Sequence, residues 1–200
     1  MEDNLHTPKV LVCTGGIGSG KTYIAKIFQK LGVPVYYSDL ETKALYQNDK
    51  VLLNKIANLC GSDVLEEGKI NRKALAQIIF NRAELKEQLE EIVHPAVLSH
   101  FNDWLKKQES KFVIFESAIV LENKLFSNIA CKILVVSAPL ELRIERVINR
   151  DNTTREMVLQ RISSQWTDKQ RERMADFIIF ADGNCELLQE ILRIKQIMES

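Results

Sequence analysis

The sequence predicts an α/β fold in three layers, a five-stranded parallel sheet between helices, and three observations predict it. Five short runs, residues 10–14, 33–37, 112–116, 133–137 and 177–181, are almost wholly apolar and rich in β-branched or aromatic side chains, as strands buried on both faces must be. Between them lie stretches whose apolar residues recur at helical spacing, at 21–31, 83–92, 96–107, 140–149 and 186–198. Strands that alternate with helices pair in parallel, because the return to the starting edge of the sheet needs a crossover. The third observation is a glycine-rich turn placed between the first strand and the first helix.

That turn reads Gly15-Gly16-Ile17-Gly18-Ser19-Gly20-Lys21-Thr22, a complete match to G-x-x-x-x-G-K-[ST]. A loop that wraps phosphates turns several N–H groups toward one point, a path glycine follows at little steric cost. Lys21 is placed to set its ammonium on the β- and γ-phosphates, and Thr22 to set its hydroxyl on Mg²⁺, at the N-terminus of a helix whose dipole favours anions. Gly16, Ile17, Gly18, Ser19, Gly20, Lys21, Thr22 and Tyr23 are therefore the candidate nucleotide-binding residues. A dinucleotide fingerprint fails, since Gly16-x-Gly18 would need glycine where Lys21 stands. The ligand read from the loop is a triphosphate, ATP or GTP, and no Asn/Thr-Lys-x-Asp base-reading motif of a GTPase follows.

The second strand leads to Asp39, at the carboxyl edge of the sheet, where a carboxylate can take or orient the proton of an attacking hydroxyl. Its other reading is an N-cap for a helix beginning near Glu41. Residues 40–110 contain no convincing strand and read as a helical insertion, with His94-Pro95 opening its later helix as a cap or turn. The third strand ends at Glu116, where an acid can reach Mg²⁺ through water. After the fourth strand, Ala138-Pro139 leads into a helix with Arg143, Arg146 and Arg150, followed by Arg155, Arg161, Arg171 and Arg173. Seven of the ten arginines thus fall between 143 and 173. Planar guanidinium groups match phosphate oxygens, so this region reads as a lid closing over the nucleotide, about 140–170. The competing reading is a solvated surface on which Glu141, Glu145, Asp151 and Glu156 pair with these arginines. Trp104 and Trp166 read as core or lid packing.

Composition narrows the classes further. Twenty-seven basic residues balance 27 acidic ones, and each half of the chain is balanced as well, which argues against a nucleic-acid-coating protein. Residues 1–9 lack the apolar stretch of a signal peptide and no run spans a bilayer, so the expectation is a cytoplasmic protein with neither membrane nor nucleic-acid partners, a monomer or weak homo-oligomer. Cys13, Cys60, Cys131 and Cys185 form no Cys-x-x-Cys pair and read as reduced core thiols. A small-molecule kinase, with a nucleoside or nucleotide kinase as one form, and a nucleotide-dependent switch ATPase are the activities that these motifs leave open.

The motifs in their order resemble the dephospho-CoA kinase family along nearly the whole chain. Beside the phosphate loop, the resemblance rests on Ser38-Asp39, Gly61, Gly68-Lys69-Ile70-Asn71-Arg72 with Leu75, and Ile92-Val93-His94-Pro95. It continues through Arg146-x-x-x-Arg150-Asp151, Gln165 and Ala175-Asp176-Phe177-Ile178-Ile179 with Gly183. It implies a P-loop kinase fold that transfers phosphate from MgATP to the ribose 3′-hydroxyl of dephospho-CoA, giving CoA and ADP. It further implies a core at 8–39, 111–137 and 175–200, with the insertion at 40–110 as the CoA-binding region. By this resemblance Asp39 serves the 3′-hydroxyl, Lys21 with Arg146 or Arg150 serves the phosphoryl group, and Arg72 and His94 contact the acceptor. Three places depart from the family pattern: Tyr37-Ser38-Asp39 stands for Asp-Ala-Asp, Glu116 to Glu122 lacks the usual proline and begins with Glu, and Ala181 precedes Asp182-Gly183 where Asn is common.

Overall fold

The computed structural model describes residues 7–79, 82–126, 128–183 and 186–200. Cys185 and the first six residues of the leader reading lie outside them. The described residues fall into two compact units, those up to Tyr37 with Leu105–Ser200, and Ser38–Trp104.

In chain order the first unit opens with β1 (Lys9–Thr14), α1 (Lys21–Lys30) and β2 (Val35–Tyr37). The second holds α2 (Ser38–Asn48), α3 (Lys50–Cys60), a short 3₁₀ turn at Ser62–Val64, β3 (Leu65–Glu66), β4 (Lys69–Ile70), α4 (Arg72–Ile79) and most of α5 (Ala83–Leu105). The chain then resumes the first unit with β5 (Phe112–Glu116), β6 (Lys132–Ser137), α6 (Leu140–Asp151), α7 (Arg155–Ser163), α8 (Asp168–Glu172), β7 (Phe177–Phe180) and α9 (Leu187–Glu199).

The five strands form one parallel sheet in the order β2-β5-β1-β6-β7. One face presents Leu11, Cys13, Phe112, Ile114, Leu134 and Val136, packed with Ile24 and Phe28 of α1 and Ile191, Ile194 and Met198 of α9. The alternate residues Val10, Val12, Val113, Phe115 and Val135 are buried too, which is why the strands read as continuous apolar runs rather than as an alternation. Tyr36 stacks on Phe115 at 5.4 Å. β2 is shorter than its apolar run because Pro34 has no N–H to give a ladder; its carbonyl still accepts from Ile114 N–H at 2.9 Å. Parallel pairing puts the C-terminal ends of β1, β2 and β5 on one edge.

In the second unit the structure corrects the reading that 40–110 has no strand: β3 and β4 make a two-residue antiparallel hairpin. Its turn is Glu67-Gly68, both left-handed, at φ 51 and φ 75, the conformation that matches the twist of a tight hairpin. Asn71 closes the hairpin and opens α4, accepting from Lys73 and Ala74 N–H at 3.0 and 3.1 Å. A second correction concerns Pro95, which lies inside α5 and opens no helix. The buried positions Leu89, Val93, Val97 and Phe101 continue at four-residue spacing across it, and that unbroken apolar stripe carries the helix past the proline. Among the described residues no helix is long and apolar enough to cross a membrane.

Candidate active site

The phosphate loop leaves β1 at Thr14 and enters α1 at Lys21. Ser19 N–H donates to Gly16 O at 3.1 Å and closes the loop on itself, and Lys21 Nζ lies 3.4 Å from the same carbonyl. Gly18 has φ 78, and a Cβ there would run into the Arg143 backbone carbonyl. A Cβ at Gly16 would strike the Arg143 guanidinium. These two glycines are thus demanded by the approach of α6 to the outside of the loop. Ser19 Oγ, and Thr14 Oγ1 just before the loop, are buried without a hydrogen-bond partner among the described residues, so the loop and the strand end beneath it carry unused polar capacity.

Thr22, at the start of α1, and Glu116, at the end of β5, come together across the sheet edge: Thr22 Oγ1 donates to Glu116 Oε1 at 3.5 Å. Glu116 is 6% exposed. A hydroxyl and a buried carboxylate, both hard oxygen donors beside a phosphate loop, fit what Mg²⁺ takes when phosphates supply its other ligands. The field of Glu116 reaches its neighbours: Cys13 is driven well above the ordinary thiol range by burial and then by this carboxylate, with Lys21 opposing. Tyr37 stands opposite Glu116 in the β2–β5 register. Its phenol is raised by burial and then by Glu116, and its hydroxyl donates to Gln29 Oε1 at 3.1 Å. Position 37 thus presents a neutral phenol rather than a charge at this edge.

The arginine cluster divides. Arg146 reaches the loop, with Nη1 3.5 Å from the carbonyls of Gly18 and Ser19 and Nη2 donating to Ala181 O at 2.8 Å. Arg150 bonds the Asp151 carboxylate at 2.7 and 3.0 Å, and Arg161 joins it at 2.9 Å; these partners, Arg150 first, hold the Asp151 carboxyl below its usual range. Arg155 forks onto Glu141 at 2.7 and 2.8 Å. Arg143 and Arg171, by contrast, are buried, at 3% and 1% exposed, and so are not members of a solvated surface. Arg143 Nε donates to Ile17 O at 2.9 Å and Nη1 to Asp168 Oδ2 at 2.6 Å. Arg171 is held by Glu122 Oε1 at 2.7 Å and by Trp166 O. Ile17 N–H donates to Gln165 Oε1 at 3.0 Å. Tyr23 is 63% exposed at the first turn of α1.

The structure therefore gathers Lys21, Thr22, Glu116 and Arg146 around one loop. Asp39, Arg72 and His94 belong to the second unit. Asp39 is exposed in the first turn of α2, which starts at Ser38 rather than near Glu41, so the reading of Asp39 as a cap preceding the helix gives way. Arg72 opens α4. It acts on Tyr46, whose hydroxyl is pushed up to about 12 by burial while Arg72 opposes and Cys60 and Glu90 add to the rise. Glu90 also acts on His94: burial lowers the imidazole and Glu90 resists. In the sequence Tyr46 and Glu90 are each one more position of a helical pattern, so their electrostatic links to Arg72 and His94 are not legible there. Cys131 is exposed and Cys60 half-buried, so of the three described thiols only Cys13 fits the core reading.

The family model for dephospho-CoA kinase matches residues 9–186. A dephospho-CoA kinase of Bacteroides fragilis is 40% identical over 182 residues, covering 90% of this chain and 88% of its own length. Among solved structures, a Thermus thermophilus protein superposes with a TM-score of 0.85 at 29% identity over 96% of this chain and 98% of its own. Dephospho-CoA kinase from Campylobacter jejuni superposes at 0.63 with 27% identity, over 96% and 98%.

Proposed function

The chain belongs to the dephospho-CoA kinase family, and on that premise we propose a role for each candidate residue. The activity is that of an ATP-dependent kinase: the γ-phosphate passes to the ribose 3′-hydroxyl of dephospho-CoA, giving CoA and ADP. The observation that carries the residue roles is the gathering of Lys21, Thr22, Glu116 and Arg146 about one phosphate loop.

Gly16 to Tyr23 hold ATP, with Lys21 placing its charge on the β- and γ-phosphates. Thr22 and, through water, Glu116 hold Mg²⁺, which when bound neutralises charge on those phosphates. Arg146 and Arg150 stabilise the phosphoryl group as it transfers, where fixed charge in a water-poor site is most effective. Arg146 is already tied to the loop, whereas Arg150 leaves Asp151 to act, an exchange that an exposed ion pair permits at low cost. Asp39 orients the 3′-hydroxyl and takes its proton as the oxygen attacks phosphorus. The insertion at about 40–110 is the CoA-binding region, and about 140–170 the lid. Arg72 contributes positive charge to the acceptor's phosphates. His94, kept neutral by burial, contributes a hydrogen bond rather than a charge. The setting is cytoplasmic.

ADP production from MgATP tests the reading, with dephospho-CoA in one reaction and adenosine, AMP or no acceptor in the others. Turnover confined to dephospho-CoA is expected; equal turnover with AMP would overturn the acceptor. For the acceptor residues, Arg72→Ala and His94→Ala are expected to raise KM for dephospho-CoA far more than KM for ATP. Equal effects on both would remove them from that role.

A further inference from the structure

Ile17, at the outer bend of the phosphate loop, has both of its backbone groups held from outside the loop. Its N–H donates to Gln165 Oε1 at 3.0 Å, and its carbonyl accepts from Arg143 Nε at 2.9 Å. One bond fixes the peptide plane before Ile17 and the other the plane after it, and the second leads straight into Gly18 at φ 78.

Arg143 is itself held, and Gln165 is anchored through its chain neighbour Trp166. Arg143 is 3% exposed and bonds Asp168 Oδ2 at 2.6 Å. Asp168 Oδ1 lies 3.6 Å from Arg171 Nη1, and Arg171 Nη2 donates to Glu122 Oε1 at 2.7 Å. The same Glu122 oxygen accepts from Trp166 N–H at 2.9 Å, and Trp166 is the neighbour of Gln165. The contacts therefore close a ring that begins and ends on Ile17 and runs through α6, α8 and the segment after β5. Arg143, Asp168, Arg171 and Glu122 each have a charged partner within the ring, while Arg171 Nε is buried without a hydrogen-bond partner among the described residues; such pairing holds the members in place.

We propose that Gln165 and Arg143 are positioning residues, which hold the Ile17 peptide so that the phosphate loop is formed before nucleotide arrives. A loop bonded only to itself has to order as the nucleotide binds, and that ordering subtracts from affinity. Here two side chains complete the ordering in advance. Ile17 N–H is committed to Gln165, so Ile17 contributes to ATP binding through the shape of the loop. Gly16 lacks a side chain because Arg143 occupies that space. The consequence for catalysis rests on the loop being the ATP site; the consequence for loop order does not.

The test is Gln165→Met, which keeps the length of the side chain and removes the acceptor. Hydrogen exchange without nucleotide is expected to rise about fivefold in residues 15–20, the factor one ordinary hydrogen bond is worth. Exchange in β1 should stay unchanged. KM for ATP should rise by a similar factor and KM for dephospho-CoA by less than twofold. Arg143→Lys keeps a cation for Asp168 but loses the Nε donor, and is expected to shift the same readouts in the same direction. Unchanged exchange in residues 15–20, or an equal rise in β1, would overturn the proposal. If the unaltered protein failed to bind ATP, the ATP assignment would fall, and the exchange of residues 15–20 would still decide whether Gln165 holds the loop.

Discussion

Lys21 is the residue whose proposed task is the most direct to test, since its ammonium stands 3.4 Å from Gly16 O in the glycine-rich loop. Lys21→Ala is expected to lower kcat/KM by at least about 100-fold, roughly 3 kcal/mol of transition-state stabilisation; near-normal turnover would refute the role. Asp39→Asn keeps the shape and removes the proton acceptor. It should depress kcat while Kd for ATP, measured by titration calorimetry, stays put. Arg150 allows a cleaner separation, because its pair with Asp151 is at the surface, where Arg150 is 62% exposed. Arg150→Ala should therefore change stability by less than about 0.5 kcal/mol, so that any fall in kcat reports phosphoryl transfer. These residues also show where sequence reading stops. Arg143, Arg146 and Arg150 share one helix and one residue type, yet they go to the loop's carbonyl, to Ala181 and to Asp151. Arg143 meets a partner 126 positions away, and no local pattern encodes such a partner. The phosphate loop was legible because all its parts are consecutive.

At the scale of elements, α5 is the one whose sequence and structure pull apart. Proline in a helix interior loses a backbone bond and crowds the preceding turn, at a cost of about 3 kcal/mol. The stripe Leu89, Val93, Val97 and Phe101 outweighs it. Pro95→Ala should recover part of that cost, less about 1 kcal/mol for the freer unfolded chain. The net gain, about 1–2 kcal/mol, is a rise in Tm of a few degrees for a chain of this size; a fall would mean that the proline fits a bend the helix needs. The reverse holds at the start of α3, where Asp49 Oδ1 accepts from Val51 and Leu52 N–H at 2.9 and 3.0 Å. Asp49→Ala should cost about 1 kcal/mol and lower Tm by a few degrees. The buried strands were readable because apolar runs have one use in a parallel sheet, whereas β7, read as equally buried, lies at the edge with only Ile179 buried and Phe180 63% exposed. The β3–β4 hairpin escaped because two residues per strand are too few to show a period, although Glu67-Gly68 marked its turn.

For the whole molecule, one contribution to stability against acid lies in the second unit, in which His94 is half-buried on α5. Burial lowers its pKa and Glu90 only partly resists, so the unfolded chain, with histidine near its ordinary value of about 6.5, binds the proton first as pH falls. Where the unfolded state holds more protons, stability rises with pH. The contribution of His94 is therefore complete above about pH 6.5 and drains as pH drops toward the folded value. Once the folded protein is protonated too, the loss levels off. Thermal unfolding across pH 5 to 8, compared with His94→Gln, measures this. The unaltered protein should lose more Tm than the variant on going from about pH 7 to 5.5, and the two curves should run parallel above 7. Parallel curves throughout would mean that the imidazole is as free to charge in the folded chain as in the unfolded one. Burial would then not be what keeps His94 neutral, and its proposed hydrogen-bonding role would lose that support.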